Sequence, residues 1–221
     1  IAMIYHMFYG MQKSYGNLEG ALAIMANGAL ILQFPVAHSF LLSQRGQKIL
    51  SLLGPKDLAI SLSTTSFTIV ASIQLFALFM LWSPSKIVFE LPFEFLIYLL
   101  PSLYCLSWFL LIVATIDAGL EVQSGALGWI SVVARKKPKF PELPTTGLYR
   151  IIRHPIYASF FLAVLTVPTW TADQIVVSLI LGGYCIFAPI LKDRRLIERH
   201  GEKYLSYKNT TPYMLPNKII K

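Results

Sequence analysis

The sequence predicts an all-α membrane protein that crosses the bilayer several times. Of its 221 residues, 55% are hydrophobic and only 14% are charged, whereas about a quarter are charged in an average soluble domain. The apolar residues form runs that approach or exceed the roughly 20 residues needed to cross a bilayer. Most Lys and Arg residues lie in one set of connecting segments. We therefore expect a single polytopic domain with about five transmembrane helices, preceded by a truncated N-terminal one.

Five apolar segments are interpreted as the transmembrane helices. They span residues 20–42, 57–82, 92–116, 155–170 and 174–191. The last two are short and are joined by the polar turn Thr171-Ala172-Asp173, which predicts a helical hairpin. The aromatic and apolar start of the chain is expected to be the end of a helix that begins upstream.

The charged segments divide the chain further. Residues 1–116 carry the N-terminal helices, 117–153 connect them, and 154–221 contain the hairpin and a charged tail. Within the connection, the apolar stretch 126–134 is a candidate interfacial helix. Apolar residues recur near helical spacing in the tail at 193–208, which predicts a second interfacial helix.

The distribution of basic residues predicts the orientation in the membrane. All but Lys13 and Lys86 of the 19 Lys and Arg residues fall on one side of the predicted bundle, and by the positive-inside rule that side is cytoplasmic. The rule also accounts for the net charge of +8, so we do not expect nucleic-acid binding. Cys105 and Cys185 lie in apolar runs, and no Cys/His spacing predicts a metal site.

The cytoplasmic connection contains a stiff basic strip. The connection begins with acidic Asp117 and Glu121, and the strip itself spans 135–144, with three prolines within 138–144. Proline excludes a regular helix there and favours an extended backbone. The strip could form the wall of a site, or it could be a linker that prefers anionic lipid headgroups.

The start of the predicted hairpin has features of an anion site. Pro155 suits the first turn of a helix, which places His154 near the N-cap, with Arg150 and Arg153 just before it. Free N–H groups, the helix dipole and guanidinium groups favour a carboxylate or a similar anion. The alternative is membrane anchoring, with His154 as an ordinary interfacial residue. The short hairpin is expected to return Asp193 close to this helix start.

Two stretches carry a resemblance to a known family. They are Gly147-x-Tyr149-x-x-x-Arg153-His154-Pro155-x-Tyr157 and, after the hairpin, Asp193-Arg194-Arg195-Leu196-x-x-x-x-Gly201-Glu202-x-Tyr204-x-x-Tyr207, with Pro212 and Pro216 beyond. Over residues 145–216 the chain resembles the integral membrane methyltransferases that include isoprenylcysteine carboxyl methyltransferase and the phospholipid methyltransferases. The resemblance implies S-adenosylmethionine as the cofactor.

Weaker features extend the likeness to most of the chain. Ala37-His38-Ser39, the helix end at 115–121 and the strip at 138–144 are similar to bacterial methanethiol S-methyltransferases. Membrane proteins linked with nitric oxide and nitrite metabolism share the architecture. One departure is Lys192-Asp193, where the family often has two adjacent glutamates.

The resemblance implies methyl transfer to a small or lipophilic thiol that enters from the bilayer, at the cytoplasmic face of a bacterial inner membrane. The implied cofactor-binding residues are Tyr149, Arg153, His154, Pro155, Tyr157, Asp193, Arg194, Tyr204 and Tyr207. The candidate catalytic residues are His38, Asp117, Asp193 and Arg195. His38 and Asp117 are the candidates for assisting deprotonation of the thiol acceptor, because the thiolate is the nucleophile.

Other functions remain compatible with parts of this pattern. The acceptor could be an isoprenylcysteine carboxylate or a phospholipid amine. A nicotinamide-dependent reductase would need a phosphate-binding loop, and no Gly-rich loop is present. The chain could also be a non-enzymatic membrane subunit. Scarce charges within the spans disfavour a transporter, and the sequence does not specify an oligomeric state.

Overall fold

The computed structural model of the chain describes residues 1–55 and 57–216, and its regular structure is helical. The helices are α1 (Ala2–Phe8), α2 (Gly20–Leu41), α3 (Gln44–Leu50), α4 (Ala59–Leu81), α5 (Leu96–Asp117), α6 (Leu120–Gln123), α7 (Ala126–Val133), α8 (Leu148–Ile151), α9 (Pro155–Leu165), α10 (Ala172–His200) and α11 (Glu202–Thr210). Extended pairing in the described ranges is limited to an isolated bridge between Val88 and Thr171. The all-α prediction is confirmed. Lys56, Lys218 and Lys221, assigned to the basic side, lie outside the described residues.

Among the residues that the structure describes, four helices are long and apolar enough to cross a membrane: α2, α4 from Ser61 onward, α5 and α10. The predicted count of five or six is not confirmed, because α1 and α9 are shorter. Helix α9 has 11 residues, about 16 Å at 1.5 Å per residue. It ends at Leu165 rather than Trp170, since Pro168 disfavours helical backbone just before it.

Helix α10 is longer than predicted. It has 29 residues and continues through the charged segment to His200, so no break separates the hairpin from the tail at 191–193. The change from apolar to charged side chains leaves helical backbone hydrogen bonding intact, and the turn comes at Gly201. Gly201 has φ +53°, which a glycine adopts at little cost. Only the end of the predicted interfacial helix is separate, as α11.

The short helices pack on the ends of the long ones. Helix α9 lies between α5 and α10, while α2 contacts α4 and α10. The predicted interfacial segment forms α7 and packs on α4. Gly128 of α7 lies so close to Thr65 and the Ser61 carbonyl that a side chain there would clash. This close approach holds the connecting segment against the bundle.

A buried carboxylate organises the end of the bundle where α10 begins. Asp173 is 5% exposed and accepts hydrogen bonds from Trp82 Nε1 at 2.9 Å, Gln12 Nε2 at 3.0 Å, and the Ser85 backbone N and Oγ at 2.8 and 2.7 Å. These donors come from the N-terminal segment and from the loop after α4. Hydrogen bonds to the ionised group offset its loss of hydration.

We predict that Asp173→Asn destabilises the protein, because an amide presents its NH2 group to donors that now face a carboxylate. The expected loss in the free energy of unfolding is about 2 to 3 kcal/mol, and the thermal unfolding midpoint in detergent should fall by several degrees. Glu19→Gln, an exposed change at the same end, is the control. An unchanged midpoint in Asp173→Asn would contradict the proposed anchoring role.

Candidate functional site

The carboxylate at the end of α5 fixes the start of α8. Asp117 Oδ2 accepts a hydrogen bond from the Leu148 backbone N at 2.8 Å. Gly147 has φ +58°, and a Cβ at that position would collide with the Asp117 carboxylate. The glycine is therefore required both for the backbone conformation and for the close approach. Asp117, a predicted catalytic residue, is engaged in holding this turn.

Arg153 and His154 lie at the start of α9, and Arg153 connects this helix start to residues 208–213 near the C-terminus. His154 is the N-cap residue and Pro155 is the first residue of the helix, as predicted. The Arg153 backbone N donates to the Pro212 carbonyl at 2.8 Å, and Arg153 Nη1 donates to the Lys208 carbonyl at 2.8 Å. The Arg153 guanidinium also lies over the Tyr213 ring, 5.6 Å from its centroid.

Asp193 is the point at which the three segments meet. It is 5% exposed, and His154 Nε2 lies 2.9 Å from its Oδ1. Arg153 Nη2 and Lys208 Nζ lie 3.5 and 3.7 Å from Oδ2, and the Tyr204 hydroxyl donates a hydrogen bond to Oδ1. The predicted approach of Asp193 to Arg153 and His154 is confirmed. The carboxylate is surrounded by the protein's own cations and donors.

Burial sets the protonation of the groups around Asp193. Burial lowers the pKa of His154 below its usual 6.5, and the neighbouring Asp193 carboxylate opposes that effect only in part. The pKa of the Tyr204 hydroxyl is raised, first by burial and then by its hydrogen bond to Asp193. A neutral His154 and a protonated Tyr204 therefore accompany the carboxylate at neutral pH.

A cavity of about 160 Å³ lies beside this cluster. Its walls come from the proline strip, the α5–α6 junction, α8, α10 and α11. The lining includes Ala118, Val122, Gln123, Phe140, Pro141, Glu142, Leu143, Pro144, Tyr149, Arg153, Lys192, Leu196, Arg199, His200, Tyr204 and Tyr207. The strip, which we suggested could form the wall of a site, forms one wall of this cavity. His154 and Asp193 lie behind this lining.

The proline strip is tied to α10 and α11 by two surface contacts. Lys203 Nζ lies 2.8 Å from Glu142 Oε2, and the Arg199 guanidinium lies 5.6 Å from the centroid of the Phe140 ring. Both contacts are solvent-exposed, and such pairs contribute little stability. They join the strip to α10 and α11 beside the cavity.

Several buried polar atoms at the cavity lack partners within the described chain. They are the Tyr149 hydroxyl, Arg153 Nε and both ring nitrogens of His154, whose close approach to Asp193 does not have the geometry of a hydrogen bond. Tyr149 is only 2% exposed. Buried polar groups are nearly always paired, so the Tyr149 hydroxyl and Arg153 Nε, whose residues line the cavity, provide binding capacity for a polar ligand or for water.

Lys192 is a cavity residue that the motif did not predict. Its Nζ lies 5.9 Å from the centroid of the Tyr149 ring and 5.7 Å from that of Tyr157. The sequence showed Lys192 only as a departure from a paired glutamate. Arg199 and Phe140 were missed as well, because they lie outside the motif and are brought to the cavity by the packing of the strip.

Other predicted site residues lie elsewhere. His38 packs between the rings of Phe34 and Phe67, with centroids 4.9 Å from each, and it is absent from the cavity lining. Arg195 is half-buried and Arg194 is exposed, and neither lines the cavity. Most of the predicted residues therefore lie around the cavity, whereas His38 lies in a separate aromatic cluster.

The chain is similar over most of its length to curated methanethiol S-methyltransferases. It is 26% identical over 212 residues to that of Pseudomonas deceptionensis, covering 94% of this chain and 79% of the relative. Identity is 25% over 209 residues to the Crocosphaera subtropica protein, covering 92% and 78%. For the Mycobacterium tuberculosis protein it is 24% over 197 residues, covering 88% and 78%. No family model matches the chain, and no solved structure matches it. The likeness suggested by the motif is confirmed.

We predict that His154 makes stability depend on pH. Its folded-state pKa is lowered from 6.5, so the unfolded chain binds the proton more tightly. The contribution of neutral His154 is therefore full above pH 6.5 and is lost as pH falls below that value, by up to about 1.4 kcal/mol per pH unit. Thermal unfolding midpoints between pH 7.5 and 5.5 should fall more steeply in the wild type than in His154→Gln. Equal slopes for the two proteins would contradict this assignment.

Proposed function

We propose that the chain transfers a methyl group from S-adenosylmethionine to a small or lipophilic thiol. Support for the acceptor comes from the relatives, which are named for methanethiol and align with about nine-tenths of the chain. The observation that carries the proposal is the cavity beside Asp193, which has unpartnered polar atoms in its walls and the predicted motif residues around it.

The chemistry of the lining fits a zwitterionic nucleoside donor. Tyr149 and Arg153 offer a hydroxyl and a guanidinium N–H without partners in the described chain, which suit polar groups of the amino-acid portion. The Phe140 and Tyr207 side chains offer aromatic surface for a base. When bound, S-adenosylmethionine supplies a methyl group whose bond to the sulfonium breaks, with the electron pair left on the donor sulfur, as the ionised thiol forms its new S–C bond.

In this proposal Asp193 does not contact the methyl donor but positions the residues that do. Its two oxygens are occupied by Arg153, His154, Tyr204 and Lys208, so it orients Arg153 toward the cavity. Positioning of the methyl donor and the thiol acceptor is a large part of catalysis by a methyltransferase. The displacement requires the two reactants in line and little covalent assistance from the protein. Here a carboxylate fixes the binding residues without itself facing the donor.

The cavity lies at the end of the bundle that carries most of the basic residues. Arg153, Lys192 and Arg199 line it, and the basic strip forms one wall. Under the positive-inside rule this end faces the cytoplasm. We therefore place the reaction at the cytoplasmic membrane face, with the thiol entering from the bilayer.

We predict micromolar binding of S-adenosylhomocysteine to the purified protein, measured by titration calorimetry in detergent. Tyr149→Phe should weaken binding about threefold to tenfold, the effect of one hydrogen bond. Arg153→Gln should weaken it more, because it also leaves Asp193 without its guanidinium. Glu198→Gln, an exposed change on the same helix as Asp193, is the matched control.

Two results would contradict the proposal. A well-folded wild type that binds no S-adenosylhomocysteine would remove the cofactor assignment. Binding accompanied by methylation of prenylcysteine or of phospholipid, with no methylation of methanethiol or other thiols, would remove the acceptor assignment. Product formation is followed with a labelled methyl donor, so both outcomes are measured in the same preparation.

A further inference from the structure

Lys192 places a half-buried ammonium in the cavity between two aromatic rings. Its Nζ is 5.9 Å from the Tyr149 centroid and 5.7 Å from the Tyr157 centroid, and the residue lines the cavity. Cation–π contacts hold an ammonium in place. They neutralise none of its charge.

No carboxylate within the described residues lies at ion-pair distance from Lys192. The ion pairs there involve Arg153, His154, Lys203 and Lys208. Asp193 is adjacent in sequence, yet it points to a different set of cations, because consecutive residues of a helix differ by about 100° in direction. A partly desolvated charge without a partner favours binding of an anion. Lys192 thus has capacity for an anionic ligand group.

The position of Lys192 along α10 indicates which anionic ligand group it binds. Arg199 lies seven residues further toward the exposed end of the helix, about 10 Å at 1.5 Å per residue, and it contacts Phe140 at the outer wall. Arg153 is held by Asp193 and by the Lys208 carbonyl. Lys192 is therefore the cation nearer the bilayer along this helix, on the side from which an apolar acceptor enters.

We propose that the Lys192 ammonium binds the sulfur of the acceptor and stabilises it as a thiolate. This inference rests on the proposed thiol methylation. The S–H bond dissociates, the proton leaves to water, and the negative charge that remains on sulfur pairs with the ammonium. An adjacent cation lowers the pKa of a thiol and so increases the fraction present as the nucleophile.

The Tyr149 hydroxyl, assigned above to the methyl donor, does not act as the base for the thiol. It is buried without a partner in the described chain, and burial raises the pKa of Tyr149, so it remains protonated. No carboxylate base is required. This agrees with the engagement of Asp117 by Leu148 and of Asp193 by its four partners.

The test compares Lys192→Met with Lys192→Arg, which keeps the positive charge. Lys13→Met is the matched control, because Lys13 Nζ also lies over a tyrosine ring, 5.8 Å from the Tyr9 centroid, in a segment distant from the cavity. The measurements are the pH dependence of kcat/KM for methanethiol and the calorimetric affinity for S-adenosylhomocysteine.

We expect Lys192→Met to lower kcat/KM at neutral pH by at least about tenfold and to move the rise of the pH–rate profile at least about one unit toward alkaline pH. Affinity for S-adenosylhomocysteine should stay within about threefold of the wild type. Lys192→Arg should retain most of the activity. The deficit of Lys192→Met should shrink with trifluoroethanethiol, a more acidic acceptor that ionises without help.

Three outcomes would overturn the inference. Loss of S-adenosylhomocysteine affinity in Lys192→Met, with an equal loss for every acceptor, would assign Lys192 to the donor side. An unchanged pH–rate profile would remove the thiolate role, as would a Lys192→Arg variant that is as impaired as Lys192→Met. Failure of the thiol methylation proposal itself is distinguishable, because the wild type would then methylate no thiol at any pH.

Discussion

The paired carboxylate of Asp193 is the interaction on which the cavity depends. It lies on α10, and its partners come from the start of α9 and from α11. Removing the carboxylate would leave Arg153 and Lys208 as buried or half-buried cations without a counter-charge, which is costly in a desolvated setting. Because α8, α10 and α11 form three walls of the cavity, the same contact that satisfies the charges also sets the distances between those walls.

A second buried carboxylate at the other end of α10 has a parallel role. Asp173 and Asp193 are twenty residues apart on one helix, about 30 Å along its axis, which matches the hydrocarbon thickness of a bilayer. Each is satisfied by groups from other segments, Asp173 by hydrogen-bond donors and Asp193 by His154 and Tyr204 together with the cations Arg153 and Lys208. Their separation therefore matches one crossing of a bilayer, and α10 is held to its neighbours at both ends of that length.

The sequence predicted the parts of the structure that follow from local pattern. Helices α2, α4 and α5 end within a few residues of prediction, because long apolar runs define them. The meeting of Arg153, His154 and Asp193 followed from the short hairpin. The complete set of partners around the Asp193 carboxylate could not be predicted. It depends on where the turn at Gly201 directs α11, which supplies Tyr204 and Lys208. The sequence also did not predict that Lys192 lines the cavity. Whether its side chain reaches the cavity depends on which face of α10 the strip covers.

The proposed pairing of Lys192 with a thiolate has a consequence for product release. Methylation removes the negative charge from the acceptor sulfur, so the ammonium loses its partner and the thioether retains only weak polar contacts. A small thioether is apolar and partitions readily into lipid. The charge that favours binding of the ionised acceptor therefore favours departure of the neutral product, and the aromatic walls around Lys192 keep the ammonium in place for the next acceptor.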